Sequence, residues 1–180
     1  MHIIRHPLLL CVATAVLWLF MMAIELLWFR SLSGGLVQLD YRPFGFSTDD
    51  VSDWLTALGP VGAQAMLVWH YLTFDLVFPA LFGLTLASLT LSATRHIPRL
   101  SRHPYGVRAT ACVLWVLPYI FVDYLQNLVV AGMLTDPTGL DHTIVEVASG
   151  LNVAKFLFAA IGIAVLFLLW WRGARERVKL

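Results

Sequence analysis

Charge is scarce in this chain: Asp, Glu, Lys and Arg make up 13% of its 180 residues, where about 25% is usual for soluble domains. The formal net charge is +1, so no strong field of either sign points to nucleic acid as a partner. Cysteine is nearly absent. Cys11 and Cys112 form no C-x-x-C, which argues against dithiol exchange and a disulfide framework, and both read as small apolar fillers. Glycine-rich phosphate loops, G-x-S-x-G and H-E-x-x-H are missing, and with them the nucleotide, serine-hydrolase and zincin chemistries they carry. One histidine inside the apolar segments, His70, cannot supply bis-histidine haem ligation or a di-iron cluster. A zinc site from His70, Glu25 and an aspartate gains little from the spacing. No metal or other cofactor is therefore expected. Repeats, low-complexity tracts and domain boundaries are also missing, so 1–180 reads as a single transmembrane domain.

What the chain does have is hydrophobicity, 59% of residues with a mean hydropathy of +0.79. A fold of this size buries only part of its apolar surface, so lipid is the solvent expected around it. Four apolar runs, 8–29, 65–92, 110–134 and 148–171, are each long enough to cross about 30 Å of hydrocarbon at about 1.5 Å per residue. In lipid the backbone must bond within its own segment, which makes these runs helices. The first is longer than a signal-peptide core and lacks an A-x-A site, so it is expected to be retained. Arg5, then Arg95, Arg99, Arg102 and Arg108, then Arg172, Arg175, Arg177 and Lys179 outnumber Arg30 and Arg42 in the alternate connections. This asymmetry predicts cytoplasmic N- and C-termini. Trp28 and Trp54 are expected in the outer aromatic belt, and Trp170 and Trp171 in the inner one.

The connection 31–64 carries structural signals of its own. Ser47 or Thr48 can cap a helix, Asp49 and Asp50 suit its first turn, and Val51, Trp54, Leu55 and Leu58 recur at helical spacing before Gly59 and Pro60 end it. The fold class predicted is all-α: a four-transmembrane-helix bundle with a short amphipathic helix between spans one and two, lying on the outer surface or capping the bundle. Asp136, Pro137, Thr138 and Gly139 form a turn that makes spans three and four antiparallel neighbours.

Ionisable residues inside the spans are the informative ones. Glu25, His70, Asp75, Asp123 and Lys155 stand there with Gln126, Asn127 and Asn152; each deep acid or lysine costs about 2.5 to 3.5 kcal/mol to insert. Counted along the helices, they fall in the outer half or at the midplane, while the inner halves are almost wholly apolar. Tyr119, Asp123, Gln126 and Asn127 share one face of span three, and Ala148, Asn152, Lys155, Ala159 and Gly162 one face of span four. Tyr71 and Asp75 are one turn apart, whereas His70 is rotated about 140° from Asp75 on a regular helix, which makes it the weaker candidate. Pro79 leaves the carbonyl of Asp75 without its helical partner, as Pro118 does that of Leu114. The simplest arrangement is a polar chamber opening outward or laterally. Asp75 and Asp123 are the candidate catalytic carboxyls, since one lysine cannot fully pair two deep acids and burial favours a protonated carboxyl. Glu25, His70, Tyr71, Tyr119, Gln126, Asn127, Asn152 and Lys155 are the candidate ligand-binding groups. Glu25 is equally placed to reach interfacial water, and whether Lys155 pairs with Asp75 or Asp123 is open.

The stretch from Tyr41 through Leu58-Gly59, Gly62, Tyr71, Asp75 and Phe78-Pro79, followed by Asp123, Gln126 and Asn127, resembles a pattern in small uncharacterised bacterial four-helix membrane proteins. That resemblance implies a bacterial inner (plasma) membrane and assigns no activity. In architecture the chain also resembles the EXPERA superfamily of sterol isomerases, emopamil-binding proteins and sigma-2-type receptors. The resemblance implies a chamber whose buried carboxylates bind sterol-like or cationic amphiphilic ligands. The functional expectation is thus an outer-half chamber for a small hydrophobic or lipid-like ligand, with isomerase-like acid/base chemistry if it is an enzyme. A proton-coupled transporter or channel subunit, for which a homo-oligomer would build the path, and a structural or partner-binding subunit are the alternatives. Membrane lipids are the expected partners in every case.

Overall fold

Pro7 opens the first helix at a position where its missing N–H costs nothing. This helix, α1 (Pro7–Leu32), runs regularly to Ile24 and then widens, so that the N–H of Arg30 bonds to the carbonyl of Glu25 five residues back. The wide turn carries both Glu25 and Phe29 into the interior. The computed structural model describes residues 3–178; Lys179 of the C-terminal basic cluster lies outside the described residues.

The second helix, α2 (Thr48–Thr94), begins with a reciprocal cap. Ser47 Oγ accepts from the N–H of Asp50 at 3.2 Å, and the N–H of Ser47 donates to Asp50 Oδ2 at 2.8 Å. Val51, Trp54, Leu55 and Leu58 are all buried, as their spacing predicts. At Gly59 the backbone swings to φ +59° and Pro60 restarts the helix, because glycine alone tolerates that conformation cheaply. The resulting piece, 48–58, caps the bundle: its apolar stripe packs with Phe29, Leu39, Val130, Met133, Val145 and Ala148. Trp54 therefore does not sit in a perimeter belt but is fully buried in this cluster, while Trp28, Trp170 and Trp171 stay exposed.

Beyond Gly59, α2 continues as the second long apolar segment and is widened again over Leu67–Phe74, where the N–H of Asp75 bonds to the carbonyl of His70. The short α3 (Pro98–Ser101) lies in the arginine-rich connection, followed by α4 (Tyr105–Thr135) and α5 (His142–Val178). Helices outrun the apolar runs that announced them. α5, for example, starts six residues before 148, where Asp141 Oδ1 accepts from the N–H of Thr143 at 3.2 Å. Hydropathy marks only the lipid-compatible part of a helix, whereas its capping residue marks the end.

α2 is the centre of the bundle. α1, α4 and α5 all pack on it, and α4 and α5 pack on each other. Among the described residues α1 and α5 are not closely packed together, which leaves a gap on one side. The described residues contain no strand. Four helices are long and apolar enough to cross a membrane, and large apolar side chains such as Leu8, Leu27, Leu128 and Phe167 cover the perimeter. Two buried clusters form the core. One surrounds Trp54 and Tyr71, and the other joins Ile4, Leu86, Leu91, Ala109 and Val116 at the arginine-rich end.

Candidate functional site

The segment 33–47 is not a free loop but is strapped onto α5. Asn152 Nδ2 donates to the carbonyls of Leu39 and Arg42 at 3.2 and 2.6 Å, and the N–H of Phe46 donates to Ser149 Oγ at 2.8 Å. Gly45 lies so close to α5, at φ +87°, that a Cβ there would stand 2.6 Å from Ser149 Oγ. Arg42 closes the strap by bonding the carbonyl of Val37 and pairing with Asp50 at 2.7 Å.

This strap drives Asp40 into the bundle. Lys155 Nζ donates to Asp40 Oδ1 at 2.6 Å and to Gln126 Oε1 at 2.9 Å, and stands 3.3 Å from Asp123 Oδ1. Tyr71 Oη donates to the other oxygen of Asp40. Burial alone would raise the pKa of Asp40, but Lys155 and His70 outweigh it and hold the carboxyl well below the usual carboxylate range. The lysine thus pairs with Asp40 and Asp123 rather than with Asp75.

His70 moves from the weaker candidate on its helix to the middle of the cluster, for a reason the 100° rule cannot register. In a turn that closes on the fifth residue instead of the fourth, positions 70 and 75 come onto one face. His70 Nε2 lies 3.7 Å from Asp75 Oδ2 and 3.5 Å from Asp40 Oδ2. The Gln38 amide approaches the same nitrogen at 3.2 Å, and the N–H of Gln38 reaches Glu25 Oε1 at 3.4 Å. Glu25, buried and 3.9 Å from Arg30 Nε, faces the interior rather than interfacial water. The carbonyl of Asp75, released by Pro79, accepts from Asn127 Nδ2 at 3.3 Å.

The charged groups among these face a cavity of about 800 Å³. Glu25, Asp40, His70, Asp75, Tyr119, Asp123 and Lys155 gather toward the strap, and Trp18, Phe78, Phe82, Leu89, Ile163 and Leu166 continue the wall toward the other end. Of the sequence candidates, Tyr71, Gln126, Asn127 and Asn152 are buried behind this wall and hold the strap, the lysine and the Pro79 kink rather than lining the space. The capping helix 48–58 contributes nothing to the lining; Val37, Asp40, Tyr41 and Pro43 of the strap cover the polar end instead. Sequence reasoning missed Asp40, Gln38 and Tyr41. Their one signal is the apolar Val37, Leu39 and Phe46, which a solvated loop would not need and which are at least partly buried.

Four carboxyls, those of Glu25, Asp40, Asp75 and Asp123, thus share one space with two permanent cations, Lys155 and Arg30, and one titratable imidazole. Such a site can bind a positive charge, pass a proton between groups less than 4 Å apart, or hold a polar headgroup above an apolar tail. No protein family, curated protein or solved structure matches the chain.

Proposed function

We propose that the chain is an integral membrane protein whose chamber binds a small hydrophobic or lipid-like molecule carrying a polar or cationic head. The observation that supports this most is the division of the cavity wall: charged at the strapped end, apolar over the rest, in a volume suited to one ligand of moderate size. The tail lies along Trp18, Phe82, Leu89 and Leu166, and the head meets Asp75 and Asp123, with Lys155 holding Asp123 in place. The gap between α1 and α5 lets such a molecule enter sideways from the bilayer, without passing through water. In this reading the strapped end is on the non-cytoplasmic side, as the arginine asymmetry expects, and the membrane is a bacterial inner membrane. If the protein is an enzyme, the short proton path from Asp75 through His70 to Asp40 serves acid/base isomerisation of a lipidic substrate.

A fluorescent long-chain tertiary amine, titrated onto the purified chain in detergent micelles or nanodiscs, tests the reading. Saturable binding is expected, at least about 10-fold weaker in Asp75→Asn or Asp123→Asn, and blocked by Leu89→Trp, which fills the apolar end. Binding that is unsaturable, or equal in all of these variants, overturns it.

A further inference from the structure

Three side chains at the polar end are arranged as ligands for something smaller than a lipid. Asp40, His70 and Asp75 each offer one ligand atom, and the three atoms lie within 4.8 Å of one another. His70 Nε2 is 3.5 Å from one carboxylate oxygen and 3.7 Å from the other. Around a tetrahedral ion with bonds of about 2.0 to 2.2 Å, neighbouring ligand atoms stand about 3.3 to 3.6 Å apart. The two distances from His70 Nε2 are close to that spacing. All three residues are at least nine-tenths buried, so this is not a chance cluster of surface acids.

A second observation points to the same space. Gln38 is completely buried, its amide is 3.2 Å from His70 Nε2, and its Oε1 has no hydrogen-bond partner. The two ends of an amide are interchangeable by a half turn, which brings Oε1 to the position facing the imidazole nitrogen. Turned so, Oε1 stands 3.2 Å from His70 Nε2, about the spacing of neighbouring ligand atoms around a tetrahedral ion. Supports of the kind metal ligands need are present too. Asp40 is held by Lys155 and Tyr71, and the Asp75 backbone by Asn127. The wide turn that brings His70 beside Asp75 is a rare helical distortion, frequent at functional sites.

We propose that Asp40, His70 and Asp75, with Gln38 Oε1 as fourth ligand, bind one divalent transition-metal ion of the Zn2+ type. The ion ties the strap to α2 across the roof of the cavity and takes up Asp75, so that in the metal-bound chain a cationic head meets Asp123 alone. A mixed nitrogen and oxygen donor set without sulfur suits Zn2+, Co2+ or Mn2+ rather than a soft monovalent ion.

The test uses the full chain purified in detergent, stripped with a chelator and titrated with Zn2+ alone by calorimetry, and with Co2+ as a visible-absorption probe. One Zn2+ per chain is expected, with a rise in thermal midpoint and the intense visible bands of tetrahedral Co2+. His70→Gln and Asp75→Asn are each expected to weaken binding at least about 10-fold. The exposed histidines replaced in His96→Ala and His142→Ala should leave it unchanged. Asp75→Asn is nearly isosteric, so it carries the test if His70→Gln fails to fold. Absence of uptake by the stripped wild-type chain overturns the proposal, as does uptake unaffected by His70→Gln and Asp75→Asn, or lost only with an exposed histidine. The long-chain amine titration on the same stripped protein, read with Asp123→Asn and Leu89→Trp, which alter none of the four proposed ligands, tests the chamber separately, so the two proposals fail independently.

Discussion

At the strapped end of the bundle, buried contacts are ionic and long in sequence: Lys155 reaches Asp40 across 115 positions, and Asn152 holds the backbone of Leu39. At the arginine-rich end the buried polar contacts are hydroxyls, Thr14 with Thr85 at 2.7 Å and Ser88 with the carbonyl of Ile4 at 2.7 Å. Both ends join α1 or its following segment to the rest of the bundle, but with different chemistry. Hydroxyl contacts between helices need no counter-charge and are each worth roughly 0.6 kcal/mol in a membrane protein. A buried ammonium between carboxylates carries a large desolvation cost, and a well-packed apolar set would hold the strap as well. The costly arrangement stands where the cavity is polar, which argues that the charges serve its polar end, while the Thr14 and Thr85 hydroxyls, which also line the cavity, tie α1 to α2.

The largest effect should come from Lys155→Met. It leaves Asp40 and Asp123 buried without their cation, a loss of about 3 to 5 kcal/mol by the usual behaviour of broken buried pairs. Unfolding in mixed micelles measures it, and the double variant Lys155→Met/Asp40→Asn should recover part of the loss. A Lys155→Met chain as stable as wild type would mean that the two ends do not differ in kind. Next comes Gly45→Ala, which adds a Cβ at a positive φ and 2.6 Å from Ser149 Oγ. About 1 to 3 kcal/mol should be lost in the same assay, because the strap must lift from α5. Ser149→Ala alone should cost less, since it removes only the bond to Phe46.

How far each end was legible in the sequence follows from the same contrast. The four apolar segments, the Ser47 cap, the break at Gly59 and the released Asp75 carbonyl are local or periodic, and the sequence announces them within a few residues. The buried faces of α4 and α5 follow the 100° phase, so the phase alone places Asp123, Gln126, Asn152 and Lys155 in the interior, where they are buried. Asp40 did not, because its burial depends on Asn152, Ser149 and Lys155, more than 100 positions away. His70 was misjudged because a wide turn has no signature in a fixed angle per residue. Trp54 was assigned to a belt by residue type, although its own helical stripe pointed it inward.

The capping helix lies between the two regimes, since its ion pair and cap are partly exposed. Ser47→Ala should cost about 1 kcal/mol, as the loss of an N-cap does. The N–H and the hydroxyl of Ser47, with Arg42 beyond them, hold the Asp50 carboxyl below its ordinary value of 3.8. A carboxyl lowered on folding adds stability that is present above its ordinary value and is lost as pH falls through its folded value. The stability gap between wild type and Asp50→Asn should therefore close as the pH is taken below about 4, and a gap that widens in acid would reverse the assignment. Solvent screening keeps this smaller than the Lys155 effect.

Thr85→Val is the smallest change and the most direct test of the arginine-rich end. Valine keeps the shape of threonine, so packing against Leu10 and Thr14 is preserved while three hydroxyl contacts disappear: to Thr14 Oγ1 and to the carbonyls of Leu10 and Leu81. The carbonyl of Leu81 keeps its helical bond, and Thr14 lies one turn from the carbonyl of Leu10, so its hydroxyl has a local acceptor to turn to. A loss of about 0.6 kcal/mol is expected, several-fold below Lys155→Met in the same micelles. If Thr85→Val instead cost as much as the lysine variant, the hydroxyl pair would be as indispensable as the ion pair, and expensive polar burial would no longer mark the strapped end as the working part of the molecule.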